Sequence, residues 1–256
     1  MKPEALAELL ALATDIAIEA GNLLVARLHE VRTAVSSKST ATDMVSEVDR
    51  ESEALIVRRI LEARPRDAVL GEEGAARAGT SGVRWVIDPL DGTTNYLYGI
   101  PAFAVSIGVE AEDGVLAGVV HDAVRHETFR ASRGGGAFRN GQAIHVSEQG
   151  ALGHALIGTG FGYDADKRRH QAQRLVSVIP HVRDIRRGGS AALDLCSAAC
   201  GRLDGYYEEG LQHWDYSAGS LIVTEAGGRF LREDDGMVFA AGPALFGQLH
   251  TLVRSA

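Results

Sequence analysis

Two aspartates held apart by Pro-Leu, Asp88 and Asp91, stand in the stretch WVIDPLDGTTNY (residues 85–96), after the apolar run Trp85-Val86-Ile87 and before Gly92, Thr93 and Thr94. The run predicts a strand ending at Asp88, because Pro89 cannot donate to a ladder, and Gly-Thr-Thr predicts a turn that opens into a helix. Both carboxylates should therefore point out of a strand end. An Asp before Gly-Thr is most simply a cap. Asp88 resists that reading, since an acid ending an apolar run gains nothing from burial unless a charge or hydrogen bond meets it. Glu72 and Glu73 follow the strand-like AVLG at its carboxyl end, and Asp215 opens a helix after Trp214 in HWDYSAGSLIVTEAGG, where capping alone would account for it. Should Glu72, Asp88, Asp91 and Asp215 converge, their mutual repulsion would be relieved only by raised pKa values or by bound cations. An all-oxygen donor set without His or Cys favours Mg²⁺ or Mn²⁺. Two such ions clamp a phosphoryl group and acidify an attacking water, and the amides of Gly92 and Thr93 would add donors for its oxygens. The chemistry expected is hydrolysis of a phosphate ester.

These residues need elements to carry them. Leu6, Leu9, Leu10, Ala13, Ile16, Ala20, Leu23 and Leu24 recur at helical spacing, interrupted by Glu8, Asp15 and Glu19, which predicts an amphipathic helix on a core rather than a membrane span. A second helix is expected from near Val45, with Ser46 three before Asp49, to just before Pro65. The runs AVLG, RWVID, AFAVSIGVE, GVLAGVVHD and ETFRAS, with turns such as Glu112-Asp113-Gly114, predict hairpins and a largely antiparallel sheet. RGGGAFRNG reads as turns. From about Ala151 strands and helices alternate: HALIGTGF, a helix over 166–178, VRDIR, a helix over 191–200, LDGYYE, a helix from Trp214, then GRF. Two subdomains follow, residues 1–148 and 149–256, the first holding most of the candidate carboxylates and the second Asp215.

The 256 residues, 45% hydrophobic and 23% charged, suit a soluble globular chain with a real core. A net charge of −8 weighs against nucleic acid as a partner. Cys196 and Cys200 share one face of an Ala-rich helix, which suits core thiols, and with no secretory pattern at the N-terminus a reducing cytoplasm is expected.

The chain resembles the inositol monophosphatase family of Mg²⁺-dependent, lithium-sensitive phosphatases. The resemblance is carried by GEEG (71–74), WVIDPLDGTTNYLYGIPAFAVSIGV (85–109), GGSAALDLCSAACGRLDGYYE (188–208) and WDYSAGSLIVTEAGG (214–228), in that order, with the looser KSTATDMVSEVD (38–49) before them. It implies a layered α-β-α-β-α sandwich, an α/β (α+β) fold, and a homodimer. It further implies that Glu72, Asp88 and the Leu90 carbonyl ligate a first metal and that Asp88, Asp91 and Asp215 ligate a second. A third ion would lean on Glu72, giving two to three Mg²⁺, with Mn²⁺ able to substitute. Thr93 and Asp49 resemble the pair that orients and deprotonates the attacking water, so Asp49, Glu72 and Thr93 are the catalytic candidates. Gly92, Thr93, Gly189, Ser190, Ala191 and Glu208 are the substrate-binding candidates, although Glu209 beside Glu208 leaves that assignment open. Gly74 and LQHWD differ from the family pattern without touching a proposed ligand.

The implied reaction is hydrolysis of a small phosphomonoester, foremost myo-inositol 1-phosphate. Histidinol phosphate, fructose 1,6-bisphosphate and 3′-phosphoadenosine nucleotides are the alternatives within the class. A noncatalytic regulator that binds RNA or a transcription complex is the alternative outside it. Residues 29–43, polar and rich in Ser and Thr, are expected to form a flap over the pocket.

Overall fold

The computed structural model describes residues 2–34 and 41–256, with side chains over 2–28 and 47–256. The elements run α1 (Pro3–Ala34), α2 (Ala41–Ala63), β1 (Ala68–Gly71), β2 (Ala76–Arg77), β3 (Arg84–Asp91), α3 (Thr93–Tyr98), β4 (Ala104–Ala111), β5 (Gly114–Asp122), β6 (Glu127–Ser132), β7 (Gly136–Arg139) and β8 (Gln142–Ala143). Then come β9 (Leu156–Thr159), α4 (Ala165–Val178), β10 (Asp184–Arg186), α5 (Ala191–Ala199), β11 (Gly205–Glu209), α6 (His213–Glu225), β12 (Arg229–Arg232), β13 (Met237–Ala241) and α7 (Pro243–Arg254).

Among the described residues the first sheet has eight strands in the order β2-β1-β3-β4-β5-β6-β7-β8, antiparallel except for the β1–β3 pair. The second has five, in the order β10-β9-β11-β13-β12. α1 and α2 cover one face of the first sheet, and α5 and α6 fill the space between the two sheets. α4 and α7 close the outer face of the second. The layers therefore alternate α-β-α-β-α, as expected. Because both faces of the first sheet are covered, β3, β4 and β5 are buried almost continuously, which is why their sequences read as apolar runs without alternation. α1 is long and apolar enough over Pro3–Leu28 to cross a membrane, yet Leu9, Ala13, Ile16, Ala17, Ala20 and Leu24 are buried in the core against that sheet. A single apolar cluster joins Val120 and Phe129 of the first sheet, Leu195 and Ile222 of the middle layer, and Tyr206 and Val238 of the second sheet.

Four expectations need correction. α2 starts at Ala41 instead of near Val45, so Asp49 is interior to the helix and not part of a cap. β3 passes through Pro89 to Asp91, because the ladder to β4 tolerates the missing N–H at a bulge between Asp88 and Asp91. RGGGAFRNG contributes the strand β7 as well as turns. β13 and α7 were not anticipated. Of the expected flap, residues 35–40 lie outside the described residues, while 29–34 and 41–43 are helical backbone of α1 and α2.

Candidate active site

Asp88 and Asp91 are an odd number of residues apart, so on a regular strand they would point to opposite faces. The bulge removes that difference: Asp88 pairs with Ser106 and Asp91 with Ala104, so that Pro89 and Leu90 oppose Val105 alone, and both carboxyls enter one pocket of about 400 Å³. Glu72 reaches the same pocket from the turn after β1, where its N–H donates to the Ile87 carbonyl at 3.2 Å. That turn is held from α2 by Glu53, whose carboxylate accepts from the amides of Glu73 and Ala75, each at 3.0 Å. Asp215 enters from the first turn of α6, where its Oδ2 accepts from the Gln212 amide at 2.7 Å. The cap expected for Asp215 exists, and the same carboxyl still lines the pocket.

The environment of each acid opposes a lone charge. Burial, then the fields of Asp91, Glu72, Asp215 and Asp49, pushes the Asp88 carboxyl well up. Burial and Asp91 push Asp215 up to about 8, against the Gln212 amide. Glu72 opens toward solvent, yet burial of its carboxyl and the fields of Asp91, Glu73 and Glu53 raise it. Asp91 is raised by burial but accepts from the Ser190 hydroxyl at 2.5 Å and the Ala192 amide at 2.7 Å. Among the described residues no three acid, His or Cys side chains stand at coordinating separation. Glu72, Asp88, Asp91 and Asp215 nonetheless form an all-oxygen, mutually repelling donor set, the chemistry that suits a hard divalent cation.

The Leu90 N–H donates to Asp88 Oδ1 at 3.1 Å, and the Leu90 carbonyl, on the pocket wall, accepts the Thr93 hydroxyl at 3.1 Å. Thr93 and Asp49 are not hydrogen-bonded to each other. Asp49 lies behind the pocket, 3% exposed, with Oδ1 buried and lacking a hydrogen-bond partner; burial and the neighbouring Glu73, Glu72 and Glu53 push its carboxyl up to about 8. Gly92, at φ 93°, caps α3 where a Cβ would lie 2.9 Å from the Ala102 carbonyl. Gly189, Ser190 and Ala191 line the opposite wall at the start of α5. The Ser190 hydroxyl is committed to Asp91 and to capping α5, where it accepts from the Leu193 amide at 3.2 Å.

Strand alternation separates Glu208 from Glu209. Glu208 shares the face of Tyr206, whose hydroxyl donates to it at 2.5 Å, whereas Glu209 turns to α4 and takes Arg174 at 2.7 Å. Burial raises Glu208 to about 7, against the Tyr206 bond. Gly160 makes room for it, since a Cβ there would lie 2.0 Å from Glu208 Oε2. Sequence reasoning missed Lys167 and Arg187 on the wall, and Asn95, whose amide bridges the Ala102 carbonyl at 2.7 Å and the Gly188 carbonyl at 2.9 Å. Only Asn95 had a signal, its place in DGTTN; the other two are surface cations by sequence.

The body is a layered α/β sandwich whose acid-lined pocket opens between the first sheet and α6. The model of the inositol monophosphatase family matches residues 5–252. The chain belongs to that family. It is 47% identical over 207 residues to an inositol-1-monophosphatase of Mycobacterium bovis, a match covering 77% of this chain and 71% of that protein. It is 41% identical over 226 residues to a protein of Pseudomonas aeruginosa named Nus factor SuhB, covering 86% and 83%. Among solved structures, Mycobacterium tuberculosis SuhB superposes with a TM-score of 0.87 at 42% identity, covering 97% of this chain and 96% of that one.

Proposed function

We propose that this phosphatase hydrolyses myo-inositol 1-phosphate, or a related polyol phosphate, with Mg²⁺ held by Glu72, Asp88, the Leu90 carbonyl, Asp91 and Asp215, two to three ions in all, Mn²⁺ serving in its place. The observation that carries the reading is the convergence of those four carboxyls, from β1, β3 and α6, on one pocket. Bound there, the metal supplies Lewis acidity to the phosphoryl group and an acidified water. The residues do the rest. The amides of Gly92 and Thr93 hold phosphate oxygens at the start of α3. Thr93 takes the proton of the attacking water at Oγ1 as it gives up its own hydrogen, which leaves the Leu90 carbonyl for the Asp49 carboxylate, at the oxygen that has no other partner. Glu208, aimed by Tyr206, and the loop of Gly189, Ser190 and Ala191 meet the substrate's hydroxyls. Residues 1–148 supply most of the metal site, residues 149–256 Asp215 and the alcohol-binding wall. A homodimer in the cytoplasm accords with the family and with free, partly buried thiols at Cys196 and Cys200.

The test is release of inorganic phosphate from a panel of polyol, sugar, nucleotide and histidinol phosphates, ranked by kcat/KM. Inositol 1-phosphate should rank first, with activity that needs Mg²⁺ and falls with Li⁺. Asp88→Asn should lower turnover about a hundredfold or more. Full activity in that variant, or in EDTA, contradicts the mechanism. The relative named Nus factor SuhB favours a second reading, binding within a transcription complex. Absence of turnover across the panel together with salt-dependent RNA binding would favour it.

A further inference from the structure

Asp215 is the one proposed metal carboxylate that does not come from the first sheet or its turns, so α6 must be registered on that sheet for the pocket to close. Glu110, in β4 and 5% exposed, sits at the junction. Its Oε1 accepts from Nε2 of His213 at 2.7 Å and from the Ser217 hydroxyl at 2.7 Å, and its Oε2 accepts from Arg84 of β3 at 2.7 Å. A carboxylate only accepts, so Nε2 carries the hydrogen. His213 and Ser217 are four residues apart on one face of α6. Asp215, two residues from each, projects from the opposite side, so a grip on the first face sets the azimuth of the second. The contact is close. A Cβ on Gly108 would lie 2.1 Å from the Ser217 hydroxyl, and one on Gly118 2.7 Å from the Ala218 carbonyl. Apolar packing holds a helix against a sheet but specifies its rotation and advance weakly; two short charge-assisted bonds from α6, with Arg84 bracing the accepting carboxylate from β3, specify both.

We propose that Glu110 is a positioning residue for the metal pocket: by clamping His213 and Ser217 it fixes the rotation and advance of α6, and thereby where the Asp215 carboxyl meets Asp88 and Asp91. This rests on the reading of the pocket given under Proposed function.

The experiment is calorimetric titration of the metal-free full-length protein with Mg²⁺, without substrate, alongside the melting temperature. Glu110→Ala, Glu110→Gln and Asp215→Asn are compared with Glu225→Ala. Glu225 docks the far end of the same helix, accepting from the amides of Gly134 at 2.7 Å and Gly136 at 2.9 Å. Glu110→Ala should weaken Mg²⁺ binding about tenfold or more, and Glu110→Gln, which keeps one accepting oxygen, by less. Glu225→Ala should lower the melting temperature with Mg²⁺ affinity within about twofold of wild type. Equal Mg²⁺ affinity in the Glu110 and Glu225 variants overturns the positioning role. Where Glu110→Ala does not fold, Glu110→Gln decides: weakened binding supports the role and unchanged binding overturns it. Unchanged binding in Asp215→Asn overturns the pocket reading itself, and this inference with it.

Discussion

At the scale of single residues, buried acids divide into those that are satisfied and those that are not. Glu110 is satisfied: burial alone would raise its carboxyl, but the bonds from His213, Arg84 and Ser217 outweigh it and hold the group at about 2, against an ordinary 4.5. A native carboxyl that binds its proton less readily than the unfolded chain stabilises the fold above the unfolded value, and that stabilisation drains as pH falls toward the folded one. The gap in unfolding free energy between wild type and Glu110→Gln, read from urea melts, should therefore be full above pH 4.5 and close between pH 4.5 and 2. A gap independent of pH contradicts the clamp's electrostatics. Asp88 accepts from the Leu90 amide, which does not outweigh the burial and the acidic neighbours that raise it. That contrast was legible in sequence only on one side. Asp88, Asp91, Glu72 and Asp215 stood out because acids at strand and helix ends demand a partner. Glu110 closes an ordinary apolar run, and nothing in its surroundings announces three partners that lie up to 107 positions away.

At the scale of elements, the bulge in β3 and the approach of α6 do the positioning. The sequence marked the bulge as a strand end, since Pro89 breaks the ladder in either case and only the pairing with Ser106 and Ala104 tells the two apart. Gly108 and Gly118 read as ordinary strand glycines, because the helix they admit lies about a hundred positions later in the chain. Adding one methyl where the neighbour is backbone forces a shift, so Gly118→Ala should push α6 off the sheet and cost about 1–3 kcal/mol, a loss measurable by denaturant unfolding. An undiminished midpoint would show that the close approach is dispensable. The C-terminal pair β13 and α7 had signals that were passed over: Pro243 stands at the first turn of α7, where proline is favoured. MVFAA in β13 is too short for periodicity to separate strand from helix.

At the scale of the whole molecule, the fold solves a problem of charge. A chain of net charge −8 repels an anionic ester, and its pocket is lined by Glu72, Asp88, Asp91 and Asp215. Cations held there, as proposed, would invert that local field, which no arrangement of these carboxyls does alone. The layers bring the acids together: the first sheet presents three of them at the carboxyl ends of β1 and β3, and the middle layer, which shares its apolar cluster with both sheets, delivers the fourth. The family blocks made the layering predictable, while the shared middle core was invisible to a reading that cut the chain at 148. The most direct measurement is a crystal of the protein with Mn²⁺, read by its anomalous scattering. Peaks bounded by the oxygens of Glu72, Asp88, Asp91 and Asp215 are the predicted result; a crystal with Mn²⁺ bound elsewhere and none among those four side chains contradicts the account.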